Sequence, residues 1–420
     1  MKKQALKGNI LWMPSIGELK TVANGYLVTQ NGKVEGVYET LPPVHQDAEV
    51  EDFGDALILP SFADIHFHAP QCVFQGLGTD LPLMDWLPKY AFPAEKLFSD
   101  AGLAREVYAE LARDLVARGT TRVVAFSSLH WDTSLILLEE FEKAGLTGFA
   151  GKVSMDRNAL PDYQEETDSA IADEIRFLDG AERFTRMKPI VTPRFTPACS
   201  DRLMEALGKI VRERDLPVQS HLSENVQEIE TVSKLCPDCK EYWETYDRWG
   251  LLTDKTVMAH CVWCSPRERA ALKERGTVVA HCPDSNITIM SGFPKVRTML
   301  EEGLTVGLGS DVAGGTDFMM NRVMGHAIRM SKARRINSLW REEPLSVPEA
   351  FFLGTTSANR IFGLGTDAFA AGEPLHAVVI RDSDKILTRR LSLPERFERA
   401  IYLTEKSDIT AVFSAGRRVK

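Results

Sequence analysis

The sequence predicts an α/β protein: a (β/α)8 TIM barrel with a small β-sandwich domain formed by both chain ends. Three observations predict it. Eight apolar runs recur along the middle of the chain, amphipathic helical stretches with glycine stops separate them, and both ends carry short β-like runs with Gly-containing turns.

The eight runs are residues 56–68, 120–128, 148–155, 188–195, 216–222, 256–262, 277–282 and 305–311. Each is rich in Val, Ile, Ala or Leu without strict polar alternation, as expected of strands buried on both faces of a parallel sheet. Helical patterns between them include residues 103–118, 201–214 and 267–275, and Gly119, Gly145, Gly276 and Gly303 stand where helices should stop. Eight such units over about 300 residues suit a barrel better than an open sheet, although the pattern alone also fits an open doubly wound sheet. Residues 7–37 and 377–420 contain the shorter runs 26–29, 377–380 and 409–414. Neither end can bury a core alone, so the expected organisation is a composite β-domain (1–59 with 366–420) beside a catalytic barrel (60–365).

Composition narrows the function. Of 420 residues, 44% are hydrophobic and 26% charged, which is ordinary for a soluble globular chain. A formal charge of −9 argues against a surface that binds nucleic-acid polymers, but not against a small uncharged base as substrate. No apolar run is long enough to cross a membrane, and no apolar signal region follows Met1-Lys2-Lys3. Seven cysteines, an odd number, suit a reducing compartment, so a cytoplasmic protein is expected.

The chemistry begins at His66-Phe67-His68. Residues i and i+2 of a strand share a face, so both imidazoles can point into a barrel mouth and start a Zn²⁺ or Fe²⁺ site. An isolated HxH is more often a structural pair. Here, however, His221, His260, His281 and Asp311 also stand at or near predicted strand ends, and the chain has only nine histidines. Parallel barrel strands bring those ends to one face, where active sites lie. Glu224, three residues after His221, is placed to reach a substrate held over the metal; Ser223-Glu224-Asn225 also reads as a helix start. HExxH, GxSxG, P-loop, GxGxxG and small-deaminase zinc signatures are absent. Cys236/Cys239 and Cys261/Cys264 look like zinc half-sites without matched partners, hence structural thiols.

The segment Leu59-Pro60-Ser61-Phe62-Ala63-Asp64-Ile65-His66-Phe67-His68, with the distant His and Asp residues, resembles the amidohydrolase superfamily over nearly the whole chain. Lys188 lies near the start of strand four rather than at its end, so the resemblance implies a single metal without a bridging carbamylated lysine. His68-Ala69-Pro70-Gln71, Asp85-Trp86-Leu87, Phe92-Pro93-Ala94-Glu95, Pro193-Arg194-Phe195-Thr196 and Gln219 to Asn225 are similar to the guanine deaminase branch. So are His281 to Asn286 and Gly307 to Asp311, with Asp284 and Ala63 as small departures from the branch's pattern.

This resemblance implies His66, His68, His221 and Asp311 as ligands of one Zn²⁺ per chain, with Fe²⁺ as the alternative. It makes Glu224 the proton shuttle, sets His260 beside the metal-activated water and gives His281 a supporting place. Gln71, Arg194, Phe195 and Trp86 would contact guanine, although core packing also accounts for the two aromatics and an ion pair for Arg194. The implied reaction is hydrolysis of guanine at C2 to xanthine and ammonia by a homodimer. A rival within the fold is an aminohydrolase of another purine, pyrimidine or triazine ring. A rival of another class is a barrel that has lost catalysis, against which all four implied ligands and Glu224 are present.

Overall fold

Ser61 divides the first expected run in two. The computed structural model of the chain describes residues 3–382 and 388–420. Its strands, in chain order, are Lys3–Ser15 (β1), Glu18–Gln30 (β2), Lys33–Tyr38 (β3), Glu49–Pro60 (β4), Phe62–His68 (β5), Thr120–Phe126 (β6), Thr147–Gly151 (β7), Val153–Ser154 (β8) and Met187–Pro189 (β9). Thr192–Pro193 (β10), Val218–Leu222 (β11), Thr256–His260 (β12), Val278–His281 (β13), Thr305–Leu308 (β14), Ala377–Ile380 (β15), Ile409–Ser414 (β16) and Arg417–Arg418 (β17) follow. The run 56–68 therefore serves two sheets: its first half ends β4 and its second half is β5.

Two four-stranded parallel sheets, β5-β6-β7-β9 and β11-β12-β13-β14, with the short pair β8 and β10, carry the middle of the chain. Every residue of β5, β6 and β11 is buried, which is why these strands lack polar alternation. Hydrogen bonds join the two sheets at both edges. On one side the Asp311 amide donates to His66 O (2.9 Å) and the His68 amide to Val312 O (3.2 Å). On the other, the Val191 amide donates to Pro217 O (3.0 Å) and the Gln219 amide to Val191 O (3.0 Å).

Helices alternate with these strands. Asp100 caps Ala101–Ala117, accepting from the Gly102 and Leu103 amides, and Ser200 caps Asp201–Arg214. The latter buries Leu203, Met204, Leu207, Ile210 and Val211, one apolar stripe on an otherwise charged helix. Pro266–Arg275 starts with Pro at its first position and stops at Gly276, whose φ of 71° is the left-handed cap expected there. No helix among the described residues is long and apolar enough to cross a membrane.

Both chain ends meet in one sheet, ordered β17-β16-β15-β4-β1-β2-β3 among the described residues. Its inner strands are two-faced. Leu57 and Leu59 of β4 join the large core, whereas Ala56 and Ile58 join a second cluster with Leu6, Ile10, Leu27, Val379 and Phe413. Burying each such Leu or Ile contributes roughly 1.5–3 kcal/mol, which neither end could collect alone. The strands β1 and β2 are longer than the short runs expected, and a helix, Leu393–Leu403, stands between β15 and β16. A capping box between Ser392 and Glu395 starts it.

Candidate active site

Parallel strands bring the key side chains to one end. Strand β5 supplies His66 and His68, β11 His221 and β12 His260, while Asp311 follows β14. At or just past these ends the chain bends sharply: Ser223, His260 and Asp311 have φ of 49°, 71° and 47°. A left-handed conformation costs roughly 1–2 kcal/mol per non-glycine residue, and here the surrounding packing sustains it. Asp64 ties the seam, accepting from the Ser310 amide (2.9 Å) and hydroxyl (2.5 Å). Asp284 holds the loop beyond Asp311, accepting from the Thr316 amide at 2.7 Å.

The imidazoles converge. His68 Nε2 lies 3.1 Å from His221 Nε2, and His66 Nε2 lies 3.2 Å from Asp311 Oδ1. The donor atoms of His66, His68 and His221 all fall within 4.8 Å of one another, and so do those of an overlapping group, His66, His260, Cys282 and Asp311. His221 Nδ1 donates to Arg194 O at 2.6 Å, which leaves a lone pair on its Nε2. Burial holds the pKa of His66 below the ordinary histidine value, and that of His68 and His221 well below it with help from neighbouring imidazoles. These rings are therefore neutral at physiological pH, the form that imidazole needs to bind a metal. Burial pushes Asp311 upward, but His66 and His260 outweigh it and bring its carboxyl to about 2. Cys282 differs. Burial, with Asp311 and Asp64 close by, drives its thiol well above the usual range, and the thiol is a poor ligand while protonated. The buried His/His/His/Asp cluster is a site that can bind a metal, and its N₃O donor set suits Zn²⁺ or Fe²⁺.

Glu224 is both a helix-entry residue and a cavity residue. Asn225 caps Val226–Leu235, and Glu228 closes the capping box while also accepting from the Glu224 amide (2.9 Å). The Glu224 side chain is thereby free to face the cluster, where Ser291 Oγ donates to its Oε1 at 2.9 Å. Burial raises its pKa to about 7; His260 opposes that rise, and Glu228 and Asp311 add to it. His260 Nδ1 donates to Asn286 Oδ1 (2.9 Å), and its Nε2 lies 3.5 Å from Glu224 and 3.7 Å from Asp311. Burial would depress His260, but these two carboxylates win and raise its pKa.

The cluster floors a cavity of about 370 Å³, mouth included, lined also by Gln71, Trp86, Arg194, Phe195 and Ile289. Behind it sits fully buried Glu95, with no role assigned from sequence: Arg194 Nη1 donates to its Oε2 (2.6 Å) and Arg194 Nη2 to its Oε1 (3.0 Å).

The amidohydrolase family pattern matches residues 57–419. The chain belongs to the amidohydrolase family. This amidohydrolase is 39% identical to guanine deaminase from Rattus norvegicus, over 86% of this chain and 82% of that one. It is 34% identical to guanine deaminase from Dictyostelium discoideum, over 99% and 97% of the two chains. A crystal structure of guanine deaminase from C. acetobutylicum with bound guanine superposes with a TM-score of 0.96 at 35% identity, covering 99% of this chain and all of that one.

Other residues singled out in the amidohydrolase's sequence lie elsewhere. His281 is buried but lines a different cavity, with Val296, Arg297 and Arg334. Lys188 is exposed on β9 and lines a cavity with Thr147, Arg186 and Phe362 that shares no residue with the active-site cavity. The seven cysteines are free thiols, and neither Cys236/Cys239 nor Cys261/Cys264 joins a metal-capable group among the described residues. Glu95, Glu228, Ser291 and Asn286 were missed as site residues. Glu228 carried a local signal, its spacing from Asn225; Glu95 and Asn286 end two segments that carry the resemblance but had no role assigned, and Ser291 reaches the site through tertiary contact alone.

Proposed function

We infer that this amidohydrolase hydrolyses guanine to xanthine and ammonia. The observation that carries this is the convergence on one cavity of a metal-capable cluster, an acid near neutral pKa, and the side chains of Gln71 and Arg194. The relatives and the guanine-bound neighbour bear the same activity in their names.

His66, His68, His221 and Asp311 would hold one divalent ion, with zinc the first choice for three imidazoles and a carboxylate. Such an ion supplies Lewis acidity that makes water a usable nucleophile at neutral pH. The chain's own residues do the rest. Asp311, ionised, takes a proton from the attacking water. Glu224, near neutral pKa, carries a proton to a ring nitrogen as C2 is attacked, and then to the departing amine. His260, between both carboxylates, holds the water's approach. The atoms balance: water adds at C2, the C2–N bond breaks, and the two water protons leave with the amino group as ammonia and on the ring as xanthine.

Arg194 offers N–H donors to the acceptor O6, Gln71 offers a donor and an acceptor to a ring edge, and Phe195 and Trp86 provide flat apolar walls. The two parallel sheets are read as one (β/α)8 barrel spanning 60–365, a reading supported by hydrogen bonds at both seams. Residues 1–59 and 366–420 are read as a composite β-domain, with register breaks at Gly8 and Trp12 that allow its sheet to fold over as a sandwich. An ammonia-release assay across guanine, adenine, cytosine and triazines tests the function. Release from guanine far above the other rings is expected, and preference for another ring overturns it.

A further inference from the structure

Resting on the guanine reading above, we propose that Glu95 is a positioning and charge-selecting residue that makes the cavity accept neutral heterocycles and reject anionic ones such as the product. It touches no reacting atom and is absent from the cavity wall. Its carboxylate is saturated. Oε1 accepts from Gln71 Nε2 (2.8 Å) and Arg194 Nη2 (3.0 Å); Oε2 accepts from Arg194 Nη1 (2.6 Å) and the Tyr163 hydroxyl (3.1 Å). A carboxylate has about four acceptor sites, and all are filled by buried donors.

Two consequences follow from these bonds. Gln71 is locked in one orientation, because its amino group faces an acceptor-only carboxylate while its Oε1 accepts from the Ala313 amide at 3.2 Å. Its remaining N–H and lone pair therefore meet the cavity in a fixed order, which is what reading a ring edge requires. Arg194 is held end-on by two of its five N–H groups, its guanidinium lying over the Phe92 ring at 4.8 Å. The remaining donors stay available, but the charge is balanced by Glu95, itself fully buried. A guanidinium without that counter-charge would draw an anion into the cavity. Guanine is neutral near physiological pH, whereas xanthine begins to lose a ring proton there. Neutralising Arg194 thus favours substrate over product in the same pocket.

Glu95→Gln keeps the shape and removes the charge. Calorimetry on the metal-loaded wild type and variant would measure xanthine and neutral hypoxanthine binding at pH 6 and pH 8.5, beside guanine kcat and KM. The expected result is xanthine binding strengthened about ten-fold at pH 8.5 but not at pH 6, hypoxanthine binding not strengthened, and guanine KM raised about ten-fold or more. Unchanged xanthine binding, or equal changes for xanthine and hypoxanthine, overturns the proposal. Glu95→Asp, which keeps the charge but shortens the reach, should raise KM without strengthening xanthine; if Glu95→Gln does not fold, strengthened xanthine binding by Glu95→Asp overturns the proposal. A wild type inactive on guanine would sink the functional assignment, whereas the two binding measurements still decide the role of Glu95.

Discussion

His68 and His221 face each other across two different strands with their Nε2 atoms 3.1 Å apart. Because His221 spends its Nδ1 proton on Arg194 O, its Nε2 can only accept. The facing His68 Nε2 would offer a second lone pair to a cation bound between the rings. Dialysis against a chelator should therefore abolish ammonia release and lower Tm, and Zn²⁺ or Fe²⁺ should restore both. His221→Ala should fail to retain metal by atomic emission. Full activity of chelated, metal-free protein would sink the metal assignment.

Glu224→Gln preserves the Ser291 contact but cannot give up a proton. It should retain metal while kcat falls about 10²–10⁴-fold, measured by ammonia release. An unchanged kcat would remove Glu224 from the mechanism.

Gly309 sits where the seam closes on His66. A Cβ there would lie 2.8 Å from both His66 Cβ and His66 O, and 3.1 Å from Cys282 Sγ. Gly309→Ala should cost roughly 1–3 kcal/mol and weaken metal retention, read by thermal melting and metal titration. Metal binding as tight as wild type would show that the seam can open without moving His66.

Glu174 is buried away from the active-site cavity; it accepts from Ser154 Oγ at 3.2 Å, and its Oε1 has no partner among the described residues. Burial lifts its pKa from 4.5 to about 7, against the pull of Lys152. Between those values the unfolded chain releases a proton that the folded chain keeps, so folded stability falls as pH rises through the window. Glu174→Gln removes this loss. Relative to wild type, it should gain roughly 1–3 kcal/mol between pH 5 and pH 8 in urea unfolding. A constant difference between the two proteins would contradict the shifted pKa.

The sequence by itself determined the order of the elements and placed His66, His68, His221, His260 and Asp311 at or just past strand ends. Runs of Val, Ile and Ala without polar alternation marked β5, β6 and β11 because both faces of those strands are buried. The i, i+2 spacing of His66 and His68 set both rings on one face, and the common direction of the strands brought His221, His260 and Asp311 to the same end. Only the tertiary structure decided which donors converge and what supports them. It sent His281 to another cavity, split 56–68 between two sheets, and put Glu95 behind Gln71 and Arg194. The physical reason is that ligand spacing along a strand is a local, periodic property. A buried carboxylate 99 residues from its arginine is chosen by desolvation and hydrogen-bond geometry across the fold, which leave no period in the sequence.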